Sequence, residues 1–449
     1  MSCMKSIASV RPRWRRSALA LLCALAPLAS HGEDLLDIYR RARSADPVLA
    51  SADAARGIAQ ETVVQARAAL LPQLSAGLSF NEMHDPDAPA NDPNSASRSR
   101  TRAATATLSQ VVVDLGKVSQ WKGTQAQADV QEATYRAAEQ ALYVRVATAY
   151  FGALTAADAL TTTLANEDAF RQQVEQAEER YRNGLSALVD LDQARSFHAA
   201  ARANTIAART SLADAREALT EITGSPPGEL KTLRDDLPTN PPLPADPQAW
   251  VSAAVRDNPA LQAQQRSVAA ADEAIETARS GHLPTLTAGV DVGRGAGWPL
   301  PVANTDGRTV TTVGLVLKVP LFAGGATQSQ VRQALYQRDR AREELERQRR
   351  QIGRDTLDRY RSVLAGIGQI SATREAFEAA RKALDSTRVG RQLGTQTMTD
   401  LLLAIQNLAS AQGAYSSVRH QFVLNRLLLQ QAAGAVGEAD LAAVNALLQ

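Results

Sequence analysis

The sequence is almost without cysteine, and its two cysteines, Cys3 and Cys23, stand near the start of the chain. If export removes that segment, no disulfide can form, so packing or oligomerisation must hold the protein together. No cysteine then remains to act as a nucleophile or a zinc ligand, and the histidines lack HExxH spacing. We therefore expect neither an enzyme nor a bound metal or cofactor.

Residues 1–32 have the features of a secretory signal. A stretch rich in arginine precedes an apolar run at 17–28, and small residues follow before Glu33. The apolar run is shorter than the roughly 20 residues of a transmembrane helix, which argues against an anchor. The segment holds five basic and no acidic residues, so its removal changes the net charge from +2 to −3. Without a basic excess, nothing indicates nucleic-acid binding.

Aromatic residues are scarce as well, at 4% of the chain, while alanine, glutamine, arginine and glutamate are abundant. This composition favours long helices over a compact globular core. Two long stretches, 115–182 and about 325–392, contain no helix breaker except scattered glycines. Each has apolar residues spaced mostly by three and four, as in a heptad seam. The first seam comprises Val146, Tyr150, Ala153, Ala157, Leu160 and Leu164, and the second Tyr360, Val363, Ile367, Ile370 and Phe377. Return helices follow each of them, from about residue 186 to 222 in the first case and, after the turn at Leu393-Gly394, over the apolar positions from Leu401 to Leu429 in the second.

A helix-to-strand junction occurs twice in the sequence. A helical run stops at Pro72 and again at Pro284, and strict apolar/polar alternation follows both prolines. Proline lacks the amide that a helix interior needs and pushes the preceding residue into extended geometry. The hydrophobic period therefore changes from about 3.6 to 2 at each proline. We expect the helices before these junctions to reach Leu71 and Leu283.

Four alternating segments predict two β-hairpins, at about 73–113 and 285–322. Their connections, 81–100 and 293–308, are rich in polar residues, glycine and proline, and we expect them to be loops. Phe80, Trp298 and Phe322 lie near the strand ends, where a membrane barrel carries aromatic girdles. Trp298, next to a proline, is equally compatible with a loop position.

The order of these segments repeats at a nearly constant offset. Pro72 matches Pro284 at 212 positions, and Gly184 matches Gly394 at 210. We therefore predict a signal peptide (1–32) and two structural repeats, 33–247 and 248–449. The first repeat contains the hairpin 73–113, a helical hairpin at 115–223 and a proline-rich linker at 224–247. The second contains the hairpin 285–322, a helical hairpin at 325–434 and a C-terminal segment.

The alternating segments have the length of transmembrane β-strands, which need about 9–11 residues with one apolar face. Because a sheet edge cannot stay open in lipid, other copies of the chain must complete a sheet of four strands. Two copies would give a barrel filled by side chains, whereas three would leave an open channel. We favour the trimer. The alternative is a periplasmic coiled-coil scaffold or adaptor with small soluble sheets and no pore.

The motifs that flank these elements resemble those of the TolC family of outer-membrane channel-tunnels. They are LLPQL (70–74), RYRNGL (180–185), ITG (222–224), HLPTL (282–286), PLFAGG (320–325) and LGT (393–395). The resemblance covers essentially the whole chain after the signal. It implies a mainly α-helical, internally duplicated fold with a β-barrel part. Long helical hairpins would form a periplasmic α-barrel, and four transmembrane strands per chain would complete a 12-stranded barrel in a homotrimer.

The same resemblance implies partners. It predicts an export channel in the lipid of the outer membrane that docks with a periplasmic adaptor (membrane fusion protein). An inner-membrane ABC or proton-driven pump would supply proteins or small toxic compounds. The family's adaptor-docking tips correspond to the two helical turns. They comprise Asn183, Gly184, Leu185 and Ser186, and Leu393, Gly394 and Thr395. The alternative is that these residues only form turns.

The resemblance also places a periplasmic aperture near the second turn. Asp400 corresponds to the family's acidic ring, where three carboxylates around a threefold axis would attract cations and have raised pKa values. The alternative is a helix cap, since Thr397 and Asp400 have capping-box spacing. The family's second acidic position is Leu403 here, so we expect bound cations to block the channel less strongly.

A closing network between the two helical hairpins is implied as well. Asp190 falls at its acidic position, and the family's tyrosine and arginine partners correspond to Arg391 and Gln396. We expect Arg391 to form the latch with Asp190 in their place.

Overall fold

The computed structural model describes residues 32–87, 97–298 and 306–449. The predicted signal peptide, apart from Gly32, lies outside this range, as do parts of both hairpin connections. The first half contains α1 (Leu35–Ala45), α2 (Pro47–Ala68), β1 (Gln73–His84), β2 (Arg98–Val113), α3 (Leu115–Arg182) and α4 (Leu188–Thr223). The second contains α5 (Pro247–Asp257), α6 (Pro259–Ser280), β3 (Thr285–Trp298), β4 (Asp306–Lys318), α7 (Ala326–Gln392) and α8 (Met398–Ala432). The order of elements thus repeats, which confirms the internal duplication.

A short helix, α9 (Glu438–Asn445), follows the second half and was not predicted. It closes the chain onto its own beginning, because Asn445 Oδ1 accepts a hydrogen bond of 3.0 Å from the Leu35 backbone N–H. Tyr150 of α3 joins the same region, since its hydroxyl is hydrogen-bonded to the carbonyl oxygens of Glu33 (3.1 Å) and Lys231 (2.9 Å). The main core therefore surrounds the middle of α3, where the chain ends and the linker meet.

The four strands form one antiparallel sheet in the order β1-β2-β3-β4. Its register aligns Leu74, Leu108, Val290 and Val313 across the sheet. Side chains alternate between faces along a strand, so the predicted apolar sets fall on one side. This apolar face comprises Leu74, Ala76, Leu78, Phe80, Ala104, Ala106, Leu108, Leu286, Ala288, Val290, Val292, Val313, Leu315 and Leu317. On the opposite, polar face, Thr107 Oγ1 donates a hydrogen bond of 2.7 Å to Asp291 Oδ1.

The strands are longer than predicted. Residues 81–84 and 98–100, expected in a loop, continue β1 and β2, and 293–298 continue β3 as far as Trp298. The end of β3 was not predicted as strand, because residues 293–297 are rich in glycine, which has low strand propensity. The ladder to β2 nevertheless holds it, with Gly297 opposite Thr101 and Trp298 opposite Arg100. Trp298 is therefore the last residue of β3, which decides between the two alternatives left open for it in favour of the strand end.

The helices before both prolines end earlier than expected. We predicted that they reach Leu71 and Leu283, but α2 ends at Ala68 and α6 at Ser280. A tight turn takes the remaining residues, in which the Leu71 N–H donates to Ala68 O at 3.0 Å. Proline excludes helical geometry from the residue before it, so the helix cannot reach the junction itself.

The two longest helices, α3 with 68 residues and α7 with 67, are the main structural feature. At 1.5 Å per residue each extends for about 100 Å. Their predicted seams are buried at Tyr150 and Ala153 of α3 and at Val363 and Ile370 of α7, whereas Leu164 is partly exposed. Within the described residues, no helix has the length and apolar character required to cross a membrane.

A buried ion pair fixes the start of α2. Asp46 is only 3% exposed, and its Oδ2 accepts a hydrogen bond of 2.7 Å from the Leu49 N–H as a helix cap. Both of its carboxylate oxygens also accept from the Arg145 guanidinium of α3, at 3.1 and 2.6 Å. The equivalent cap in the second half is neutral: Asn258 Oδ1 accepts from the Ala260 N–H at 3.0 Å. Asp46 therefore combines a cap with a link between helices.

We predict that Asp46→Ala destabilises the protein by about 2–3 kcal/mol, because it removes the cap and leaves the half-buried Arg145 without its partner. The matched control is Asp53→Ala on the same helix, where an exposed carboxylate pairs with Arg56 at 2.6 Å. Such exposed pairs contribute at most about 1 kcal/mol. Denaturant unfolding followed by circular dichroism at the helix band compares the two variants, and equal effects would contradict this account.

Candidate functional site

Two turns of the same design lie at the far end of the long helices, about 100 Å from the sheet. The first joins α3 to α4 and the second joins α7 to α8. Gly184 and Gly394 have positive φ values of 72° and 78°, the left-handed geometry that closes a helix. Each turn is closed by a backbone hydrogen bond between residues five positions apart. The Leu185 N–H donates to Arg180 O (2.8 Å), and the Thr395 N–H donates to Gly390 O (2.9 Å).

The tips expose apolar side chains. Leu185 is 69% exposed and Leu393 is 74% exposed, and a Cβ added at Gly184 or Gly394 would meet no atom within 4 Å. The remaining tip residues expected in docking, Asn183, Ser186 and Thr395, lie in the same two turns. Both turns thus present an accessible apolar residue beside a glycine.

Asp400 stands in the first turn of α8 and forms the capping box that was the alternative prediction. Its backbone N–H donates to Thr397 Oγ1 at 3.1 Å. The Thr397 hydroxyl and backbone N–H donate in return to Asp400 Oδ2, at 2.6 and 2.9 Å. These hydrogen bonds, the one from the hydroxyl first, hold the pKa of the Asp400 carboxyl below its ordinary value. These hydrogen bonds stabilise the helix fully at pH values above the ordinary pKa of aspartate, and the stabilisation is lost as the pH falls through the lowered pKa.

Asp190 occupies the equivalent place in the first turn of α4, but its partners differ. The helix begins after Ala187, which has no side-chain cap. The Asp190 carboxylate instead accepts from Ser186 Oγ at 2.8 Å and from Arg391 Nη2 at 3.4 Å. Arg391 belongs to the second helical hairpin and Asp190 to the first. The structure therefore brings together the two residues that we expected to form a latch.

Gln396 and Leu403, the other predicted aperture residues, lie close to Asp400. The Gln396 backbone N–H donates to Gly390 O at 3.3 Å. Its side chain covers Gly390, where an added Cβ would lie 2.6 Å from Gln396 Cγ. Leu403 follows in the next turn of α8 and is partly exposed. These contacts hold Gln396 against its own turn rather than against Asp190.

A further link between the hairpins was not predicted. Thr399 Oγ1 donates a hydrogen bond of 2.7 Å to Gln193 Oε1 of α4. The two residues are 206 positions apart, and no local pattern in the sequence relates them. Beneath this link lies an apolar cluster contributed by both hairpins. Its members include Phe170, Leu191, Ala194, Leu384, Met398, Leu401 and Leu402. The two hairpins are therefore joined near the tips both by polar contacts and by a common apolar cluster.

Known proteins are similar to this chain in sequence and in fold. The chain matches the family described as Outer membrane efflux protein in two segments, residues 38–225 and 250–435. Outer membrane protein TolC of Escherichia coli (strain K12) is 32% identical to it, over 93% of this chain and 85% of the relative. TolC of Vibrio cholerae is 33% identical, over 95% and 97%. The alkaline protease secretion protein AprF of Pseudomonas aeruginosa is 28% identical, over 92% and 86%.

Solved structures show the same fold at lower identity. A crystal structure of CusC superposes with a TM-score of 0.77 at 18% identity, over 90% of this chain and 93% of the other. The Campylobacter jejuni CmeC outer membrane channel also gives 0.77, at 15% identity, over 93% and 90%. The predicted fold class and the prediction of a channel rather than an enzyme are thereby confirmed. The chain belongs to the outer membrane efflux protein family, as an export channel of the Gram-negative outer membrane with a periplasmic tunnel.

Proposed function

We propose that three copies of the chain form the channel, with a 12-stranded barrel in the outer membrane above a tunnel of helices. The observation that carries this proposal is the sheet itself. Its apolar face is uncovered, and in the described part of the chain the outer edges of β1 and β4 have no partner strand. Lipid offers no hydrogen bonds to such edges, so β1 of one copy must pair with β4 of the next.

The number of copies follows from the space inside. Two copies would give eight strands, whose interior side chains fill the lumen, whereas three leave it open. The polar face contains glycine at 289, 293, 295 and 314 and small hydroxyl residues at 105 and 107. Small side chains on the inward face keep the lumen wide. This supports three copies around a water-filled passage.

We propose further that a periplasmic adaptor docks on the two tip turns, and that an inner-membrane ABC or proton-driven pump delivers the substrate. The relatives include a protease secretion protein and an outer membrane efflux protein, BepC of Brucella suis. Proteins named for protease secretion and proteins named for efflux thus both occur among them. The exposed Leu185 and Leu393 supply the apolar contact, and the glycines beside them allow close approach of another backbone.

The aperture is proposed to lie just above these tips. Asp400 would form a ring of three carboxylates, with Leu403 at the next level in place of a second acid. The Arg391–Asp190 pair, with Gln396 nearby, would hold the two hairpins of each chain together in the closed state. Support comes from the 3.4 Å contact between Arg391 and Asp190, both of which are less than a third exposed.

The first test is single-channel conductance of the purified protein, without residues 1–32, in planar bilayers. We expect small cation-selective openings, and we expect Asp400→Ala and the near-isosteric Asp400→Asn to reduce the cation selectivity, because a ring of negative charge concentrates cations. Asp192→Asn, an exposed carboxylate on α4, is the control. Openings with unaltered selectivity in both Asp400 variants would leave Asp400 as a helix cap alone, and the absence of any channel would refute the pore.

The latch is tested by Arg391→Ser combined with Asp190→Ala. We expect a larger conductance, because the double variant removes an ion pair that holds the two hairpins of one chain together. The matched control is Arg388→Ser with Asp385→Ala, which removes an exposed pair within α7 (3.7 Å) that joins no second helix. A conductance equal to that of the wild type in the latch variant would remove Arg391 and Asp190 from the gate.

Docking is tested by Leu185→Ser combined with Leu393→Ser, and by co-purification with a periplasmic adaptor from the same organism. Each leucine buried at an interface contributes about 1.5–3 kcal/mol, so we expect at least about tenfold weaker binding. Leu243→Ser, which alters an exposed leucine of the linker far from the tips, is the control. Undiminished adaptor binding by the tip variant would place the docking surface elsewhere.

A further inference from the structure

A cluster of four arginines lies at the end of the sheet farthest from the helices. Arg98, Arg100 and Arg102 occupy every second position of β2, and Arg294 lies on the neighbouring β3. The register places Arg102 opposite Phe80, and Arg294 opposite Ala104. All four side chains therefore continue the apolar face, and all four are exposed. We call them the arginine cluster.

The charge of the arginine cluster is only partly balanced. Glu82 forms ion pairs with Arg98 and, at 3.4 Å, with Arg100. No carboxylate of the described residues lies within ion-pair distance of Arg102 or Arg294. Within the part of the chain that the structure describes, these two guanidinium groups therefore have no anionic partner, and the cluster attracts anions.

Two aromatic rings flank the arginines. Phe80 is 79% exposed and Trp298 is 70% exposed, and they stand opposite Arg102 and Arg100 in the register. The two rings and the two arginines line one shallow cleft. Aromatic rings gather at the headgroup level of membrane proteins, where one side is apolar and the other wet. The cleft therefore belongs to the boundary between the lipid tails and the headgroups.

The depth of the cluster agrees with this position. Arg294 follows Leu286, at the inner end of the apolar face, by eight positions on β3. Eight residues span about 26 Å of strand, or about 20 Å of height at a tilt of about 40°. An arginine on the lipid face is strongly destabilising at the bilayer centre but is tolerated near the interface. At this height the long side chains reach the headgroups.

The cluster faces the outer leaflet and is aimed at lipid rather than at the lumen. Because the tunnel of this family is periplasmic, the sheet end away from the helices is the outer one. The inner end of the same face carries leucine at 74, 286 and 317 instead of arginine. The transported substrate passes on the polar side, so a ligand of these arginines must come from the surrounding membrane.

We propose that the arginine cluster binds the phosphate groups of a phosphorylated glycolipid headgroup in the outer leaflet. Guanidinium groups bind phosphate through paired hydrogen bonds, and two unpaired arginines on adjacent strands can each engage one. Arg102 pairs with Ala296 and Arg294 with Ala104, so the two arginines are diagonal neighbours about 7–8 Å apart. At that separation each guanidinium can bind its own phosphate, which suits a headgroup with two phosphates better than one with a single phosphate. This inference rests on the outer-membrane location and not on the proposed adaptor docking.

The experiment measures lipid binding to the purified full protein in detergent by native mass spectrometry. The probes are bisphosphorylated lipid A, its dephosphorylated form and phosphatidylglycerol. We expect lipid A to bind at least about tenfold more tightly than either of the others, and Arg102→Gln with Arg294→Gln to abolish that preference. The matched control, Lys318→Gln with Arg332→Gln, removes two charges at the inner end and should bind as the wild type does.

Several outcomes would overturn the proposal: equal binding of dephosphorylated lipid A, equal binding of phosphatidylglycerol, displacement of lipid A by millimolar inorganic phosphate, or an unaltered preference in the glutamine variant. Channel conductance shows whether each variant is folded, and it tests the pore separately from the lipid site. If the glutamine variant fails to fold, Arg102→Lys with Arg294→Lys replaces it. Lysine keeps the charge without the planar fork, so lipid A should bind more weakly than to the wild type.

Discussion

The unpaired peptide groups at the edges of a small sheet constrain the rest of this structure. In lipid each such group costs several kcal/mol, and only closure of the sheet removes the cost. Four strands are too few to close by themselves. In the proposed trimer, copies of the chain meet edge to edge, and each strand is joined to a helix at its inner end. Once the strands form a ring, the helices that continue them are set in a ring as well, so barrel and tunnel share one cause.

The passage from helix to strand is stabilised by side chains that replace the missing helical hydrogen bonds. Pro72 ends the helical path, and the carbonyl groups just before it lose their partners. Gln73 Nε2 donates to Ala68 O at 2.8 Å, and Gln110 Nε2 donates to Leu70 O at 3.0 Å. The second donor comes from the neighbouring strand. The junction is therefore held by the sheet and the helix together, which keeps the barrel and the tunnel aligned.

Local patterns in the sequence predicted the elements well and the long-range contacts poorly. The apolar face followed from the alternation of side chains along each strand. The bounds of α3 followed from the lack of helix breakers before the turn at Asn183-Gly184. The last part of β3 was missed, since its glycines have no side-chain pattern. Asp46 and Arg145, 99 positions apart, have no periodic relation either. The contact of Arg391 with Asp190 was anticipated only through the family resemblance.

The two repeats differ in the hydrogen-bond partners of their equivalent aspartates, Asp190 and Asp400. Asp190 and Asp400 hold the same place in the first turn of equivalent helices, 210 positions apart. Thr397 occupies the cap before Asp400 and binds its carboxylate within its own turn. Ala187 stands at the matching cap before Asp190 and has no hydroxyl, and Ser186 donates to the Asp190 carboxylate instead. Both acids thus accept from a hydroxyl of their own turn, and Asp190 additionally accepts from Arg391 of the other hairpin.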